Sequence, residues 1–130
     1  MIVADTDVLI DALRGRSPAA QVIEDLLRSR RLATTAISRL ELGVGAQNAS
    51  QRTAVQALLA AVPVLPLDAD AAGIASEVGA TLRSSGQTIP LADLAIAGIC
   101  LALDVALLTR NRRHFERIAG LRLVALGSSP

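Results

Sequence analysis

The sequence contains no lysine, no tryptophan and no tyrosine, and only single copies of phenylalanine, cysteine and histidine. Each absence narrows the field. With no Lys, mechanisms that depend on a lysine ammonium are excluded. With Phe115 as the only aromatic residue, the core has to be aliphatic, built from Ala, Leu, Val and Ile. With Cys100 alone there is no internal disulfide, which suits a reducing cytoplasm. No apolar run approaches the ~20 residues of a membrane span. The N-terminus lacks the basic region and cleavage site of a signal peptide. A formal net charge of +1 rules out a polycation.

What is present is one domain's worth of chain. A length of 130 residues is the size of a single domain, residues 1–130. Such a domain buries roughly 65–70% of its unfolded surface, enough for a core without staples. All 13 basic residues are Arg. Arg grips phosphate through a planar fork and suits nucleic-acid work. A coding bias toward Arg and Ala explains the same pattern.

The stretch Ile2–Asp11 organises the rest. Ile2, Val3 and Ala4 read as a strand buried on both faces, of the kind found in parallel sheets. Asp5 ends it, and ligands in such sheets bind outside the carboxyl ends of strands. A carboxylate at the rim of a buried strand is costly unless a cation or donor meets it. Val8–Leu13 then reads as one or two helical turns. Ser17 as cap and Pro18 at the first helical position predict a helix to about Arg30. Arg28, Arg30 and Arg31 crowd its end, where the helix dipole favours cations.

Leu32–Thr35 reads as the second strand. A helix capped by Thr35 or Ser38 follows, and Asn48–Ser50 restarts another. Val62–Leu67 reads as the third strand, and its two prolines suit a sheet edge. Asp68 caps a predicted helix over 69–84. Pro90 or Leu91 opens one to about Leu103, apolar nearly all round and therefore central. Val105–Leu108 and Leu121–Leu126 read as the last strands, with a short helix within 109–117 between them and a tail over 127–130. Strands alternating with helices predict a parallel α/β sheet covered on both faces. Right-handed crossovers put every strand's carboxyl end on one edge.

Four residues fall near that edge: Asp5, Glu41, Asp93 and Asn111. Like charges this close do not all ionise without help, and a divalent cation supplies it. Mg²⁺ takes carboxylates, water and substrate phosphate, the set used in metal-assisted phosphodiester hydrolysis. Plainer readings exist. Asp5 and Asp7 suit helix caps, and this accounts best for Asp7. Glu41, three residues after Ser38, suits a capping box. Asp93 is hardest to dismiss, because a core helix rarely carries a lone acid. Asp11, Glu24, Asp25, Asp70, Glu77, Asp104 and Glu116 read as solvated faces or caps.

Four segments carry a family resemblance: Ile2-Val-Ala-Asp5-Thr-Asp7-Val-Leu, Ser38-Arg-Leu-Glu41-Leu, Asp93-Leu-Ala-Ile-Ala97 and Leu108-Thr-Arg-Asn111-Arg-Arg-His114-Phe115. Each is weak alone; in register and in order over the whole chain they resemble a PIN-domain protein of the VapC toxin kind. The resemblance implies a three-layer α/β/α sandwich around a five-stranded parallel sheet. It implies a Mg²⁺- or Mn²⁺-dependent endoribonuclease, a homodimer, and inhibition by a small antitoxin protein. On it Asp5, Glu41 and Asp93 are the metal ligands. Asn111 matches a position that is Asp in many members and Asn in others; an amide there ligates metal more weakly and cannot act as a base.

On this reading Asp5 and Asp93 hold one ion with Glu41 alongside, and Glu41 or Asp93 orients a water. Thr109 and Asn111 position phosphate or a second ion. Arg110, Arg112 and Arg113 grip flanking phosphates or form a solvated turn. His114 and Phe115 read as packing for the short helix. With one aromatic residue, base stacking is nearly unavailable, so RNA is read by shape and backbone. One rival is a haloacid-dehalogenase-like phosphotransferase, from Asp5-Thr6-Asp7 after a buried strand. It lacks the Lys that balances a phospho-aspartate and leaves Glu41 unexplained. The other rival is a catalytically inactive PIN-like binding module, with Asn111 as its best support.

Overall fold

Ile2, Val3 and Ala4 form β1, buried along its whole length. In the computed structural model, which describes residues 1–126, the chain then runs α1 (Thr6–Leu13), α2 (Ala19–Arg28), β2 (Leu32–Thr35), α3 (Ala36–Gly45) and α4 (Ala49–Ala61). It continues through β3 (Val64–Leu65), α5 (Ala69–Ser84), α6 (Leu91–Leu103), β4 (Ala106–Leu108), α7 (Arg112–Phe115) and β5 (Leu123–Val124). The expected tail over 127–130 lies outside the described residues.

All five strands are parallel, in the order β3-β2-β1-β4-β5. β1 is central, with Val3 paired to Ala33 on one side and to Leu107 on the other. The prolines at 63 and 66 flank β3, which is an edge strand as expected. Side chains alternate between the two faces of a strand. Ile2, Ala4, Leu32 and Leu108 therefore face one core with Leu9, Ile23, Leu42 and Leu58 from α1–α4. Val3, Ala33 and Leu107 face a second core with Leu82, Ile96, Cys100 and Phe115 from α5–α7. Two cores separated by one sheet make the three-layer α/β/α sandwich.

Several boundaries differ from the sequence-based expectation. The helix after β1 starts at Thr6 rather than Val8, because Asp5 occupies its N-cap and accepts from the Thr6 N–H. Asp7, expected as the cap, lies inside the first turn. Ser17 does not cap α2; the entering turn closes through the backbone, Ala20 N–H to the Arg16 carbonyl. Thr35 caps α3 by accepting from the Ser38 N–H, so Ser38 and Glu41 form no capping box. The helix expected within 109–117 is a single turn, and β3 and β5 are two-residue pairings.

α6 lies tightly on α5. A Cβ added at Gly98 would run into the Ala71 carbonyl oxygen and stand 2.8 Å from the Ala75 Cβ. Glycine permits this approach, and it sets the position of the helix that carries Asp93. Phe115, the only aromatic residue, is fully buried. Its burial is worth about 3 kcal/mol and anchors α7 beside α6.

Candidate active site

The chain leaves β1 to build β2 and β3 on one side, then returns to build β4 and β5 on the other. The strand order therefore reverses between β1 and β4, and the crevice at such a switch point is where open α/β sheets bind ligands. Asp5 follows β1 and Thr109 follows β4, so both stand in that crevice. The Asp5 N–H donates to the Leu108 carbonyl at 2.9 Å, tying the two strand ends together.

Asp5 is 4% exposed. Its Oδ1 accepts from the Thr6 N–H at 2.7 Å and its Oδ2 from the Thr109 hydroxyl at 2.7 Å. These are neutral donors. Burial pushes its pKa up to about 6, and the charges of Asp7 and Asp93 push the same way against the two hydrogen bonds. The Asp7 carboxyl is also raised, chiefly by burial, although it accepts from the Val8 and Arg110 N–H groups. The Cys100 thiol is pushed up to about 12 by burial and then by the charge of Asp5, so it is inert packing.

Glu41 reaches the site through Thr6. With α3 capped at Thr35, Glu41 falls in its second turn, and its Oε1 accepts from the Thr6 hydroxyl at 2.6 Å. Thr6 Oγ1 also lies 2.9 Å from the buried Ser38 hydroxyl. Asp93, in the first turn of α6, is 15% exposed at its side chain and bonds His114 Nδ1 through Oδ2 at 2.5 Å. His114 thus does more than pack, whereas Phe115 packs into the core as expected. No pattern in the sequence pairs it with Asp93, because α7 reaches α6 only after the chain has passed through β4.

The remaining expected residues sit at the lip. The Asn111 N–H donates to Thr109 Oγ1 at 3.0 Å, a contact of its backbone rather than its carboxamide. The Arg110 guanidinium pairs with Asp11 at 2.7 Å, so Asp11 is more than a solvated face. Arg112 reaches the Val124 carbonyl at 3.5 Å, and Arg113 is exposed.

The oxygen-donor chemistry of Asp5, Asp93 and Glu41 fits a hard cation. Among the described residues, no three His, Cys, Asp or Glu side chains group tightly enough to cage an ion. Mg²⁺ typically binds through one or two carboxylates, retaining waters and taking substrate phosphate, so a full cage is not required. The buried Asp5, lacking a cationic side-chain partner and facing two further acids, is the feature that fits such an ion.

A buried carboxylate at the switch point of a five-stranded parallel sheet, with Asp7 and Asp93 near enough to act on its charge, defines an α/β/α protein with an acid in its crevice. The PIN domain model matches residues 2–121, and the chain belongs to the PIN-domain family. It is 32% identical to Ribonuclease VapC19 of Mycobacterium tuberculosis, over 94% of this chain and 98% of that protein. Among solved structures it is similar to VapBC-1 from nontypeable Haemophilus influenzae, with a TM-score of 0.81 and 31% identity over 95% of this chain and 97% of that one. It is also similar to VapBC-5 from Mycobacterium tuberculosis, a member of the VapBC family of toxin–antitoxin systems, with a TM-score of 0.71 and 25% identity over 95% of this chain and 97% of that one.

Proposed function

We propose that this protein is a Mg²⁺- or Mn²⁺-dependent endoribonuclease, the toxin of a toxin–antitoxin pair. The observation that carries the reading is the buried Asp5 carboxylate, raised to about 6 by desolvation and by Asp7 and Asp93, with only neutral donors on it. Likeness to VapC ribonucleases supports RNA as the substrate, and likeness to VapBC toxin–antitoxin structures supports a small antitoxin as partner. Exposed Leu40, Val44 and Leu91 support further assembly, a homodimer that also takes up the antitoxin. Among the described residues, no helix is long and apolar enough to cross a membrane. A cytoplasmic site of action is part of the proposal.

Asp5 and Asp93 would hold the ion, with Glu41 alongside. When bound, it supplies Lewis acidity, making a nucleophilic water available at neutral pH and offsetting charge on the phosphate. The protein supplies the geometry. Thr6 and Thr109 hold the two oxygens of Asp5 in place. The Thr6 hydroxyl holds Oε1 of Glu41, which leaves Oε2 to orient a water; Asp93 is the other acid placed for that role. Arg110, Arg112 and Arg113 at the lip would take flanking phosphates, Arg110 by exchanging Asp11 for one.

A second reading, an inactive binding module, is favoured by the lack of a preformed three-residue cage among the described residues and by Asn111 in place of an acid. RNA cleavage by purified protein separates the two. Cleavage should depend on Mn²⁺, stop with EDTA, and be lost in Asp5→Ala and Asp93→Ala variants whose circular dichroism matches the parent. No cleavage of any RNA by the metal-loaded parent would favour the binding module. Trapping of a phospho-aspartate analogue would revive the phosphotransferase.

A further inference from the structure

Each acid of the site is held by a side chain from another element. Thr109 holds Asp5, Thr6 holds Glu41, and His114 holds Asp93. The first two supports are hydroxyls. The third is the only imidazole in the chain, and the function proposed above does not use it. We propose that His114 is the positioning residue for Asp93: its Nδ1–H holds Oδ2 and so fixes the orientation of the carboxylate that would serve the ion. This rests on the reading of Asp93 as a ligand.

The geometry supports an aimed contact rather than a chance surface pair. α7 is a single turn and has little stability of its own. Two contacts place it. Phe115 is fully buried against the core that contains Ile96 and Ala97 of α6, the turn after Asp93. The His114 N–H bonds the Asn111 carbonyl at 3.0 Å, which closes the turn. Together they hold the imidazole toward the first turn of α6, while its side chain stays 39% exposed. With the Asp93 oxygen as acceptor, the ring hydrogen lies on Nδ1. Asp93 carries no intrahelical partner that could orient it instead; its bond crosses 21 positions of sequence. Carboxylate ligands are commonly oriented by such outer hydrogen bonds, and losing one typically weakens metal affinity or activity 10–100-fold.

The bond asks for a donor at the δ position, and this can be tested by shape. Asn carries an N–H donor at the same distance from Cα as Nδ1; Gln carries one a bond further out, nearer the place of Nε2. The full chain is compared with His114→Ala, His114→Asn, His114→Gln and Asp93→Ala. Mn²⁺ affinity is read from the electron paramagnetic resonance signal of free Mn²⁺, RNA cleavage is measured in parallel, and thermal unfolding in EDTA checks the fold. The expected result is a 10–100-fold weaker Mn²⁺ affinity and slower cleavage for His114→Ala, substantial rescue by Asn, and little by Gln. Parent-like binding in His114→Ala would overturn the proposal, as would tighter binding, which would make His114 a competitor for Asp93. Rescue by Gln equal to or better than by Asn would overturn the Nδ1 assignment. Parent-like binding and cleavage in Asp93→Ala would instead remove Asp93 from the metal site, a separate failure that lies with the proposed function.

Discussion

The hydroxyl of Thr109 donates a 2.7 Å hydrogen bond to Oδ2 of Asp5, across 104 positions of sequence. It joins the carboxyl ends of the two strands that flank the switch point. Thr109 is itself fully buried and accepts from the Asn111 N–H, so one hydroxyl supports both the acid and the loop beyond β4. A buried polar group that loses its partner costs about 1–3 kcal/mol.

Thr109→Val should therefore destabilise the fold by about 1–3 kcal/mol in chemical denaturation, since it leaves the Asn111 N–H without its acceptor. It should also raise the pKa of Asp5 further, because the Thr109 bond lowers it. A carboxyl-carbon NMR titration reads that shift. Thr109→Ser keeps the hydroxyl and should stay near the parent in both measurements. Equal Asp5 titration in the Val variant and the parent would show that the bond does not matter.

Stability without metal should carry a pH signature from Asp5. Its folded pKa is about 6 against the ordinary value of 3.8 for an aspartate. Between those values the folded state holds the proton more tightly than the unfolded state, so stability falls as pH rises through this window. Above it, the ionised carboxylate costs roughly 3 kcal/mol, since each pKa unit is worth about 1.4 kcal/mol. Asp5→Asn removes that cost. Measured in EDTA, the advantage of the variant over the parent should be small near pH 4 and grow toward pH 7. A constant difference across the range would refute the assignment.

Gly98→Ala should destabilise by about 1–3 kcal/mol, the usual cost of overpacking. The added methyl meets the backbone of Ala71 and the Ala75 side chain, neither of which has a flexible end that can swing aside. Gly73→Ala, with open space around the added Cβ, is the control and should be neutral or slightly stabilising. Melting temperatures decide between them; equal values would mean that α5 and α6 have room to separate.

Asn111→Asp should tighten Mn²⁺ binding, because it adds a charged oxygen donor at the lip of an acidic crevice. Calorimetric titration measures it. Unchanged affinity would leave Asn111 with the role its backbone already has, bonding Thr109.

The order and kind of the elements were written in local patterns. Asp68 caps α5, and α5 and α6 run over the residues that apolar spacing and flanking Asp, Pro and Ser residues indicate. Pro63 and Pro66 marked β3 as an edge, since a strand missing donors is tolerated only there. Asp5 and Asp93 stood out because a charge beside a buried strand or on an apolar helix contradicts its surroundings; Glu41 was marked by its place after the second strand and by the family resemblance. Such signals act over a few residues, through backbone hydrogen bonding and a repeat of two or 3.6, and need no knowledge of the rest of the chain.

What each acid touches was not readable that way. Thr35 and Ser38 were both candidates for capping α3. Only the structure shows that Thr35 does so and that Glu41 is thereby free to bond Thr6. Strand order decided that β4, and not β3 or β5, lies beside β1, and so delivered Thr109 to Asp5. The packing of Phe115 against α6 decided that His114 meets Asp93. These pairings span 35, 104 and 21 positions of sequence. They depend on sheet register and on helix packing across it, and neither leaves a local trace at the residues that meet.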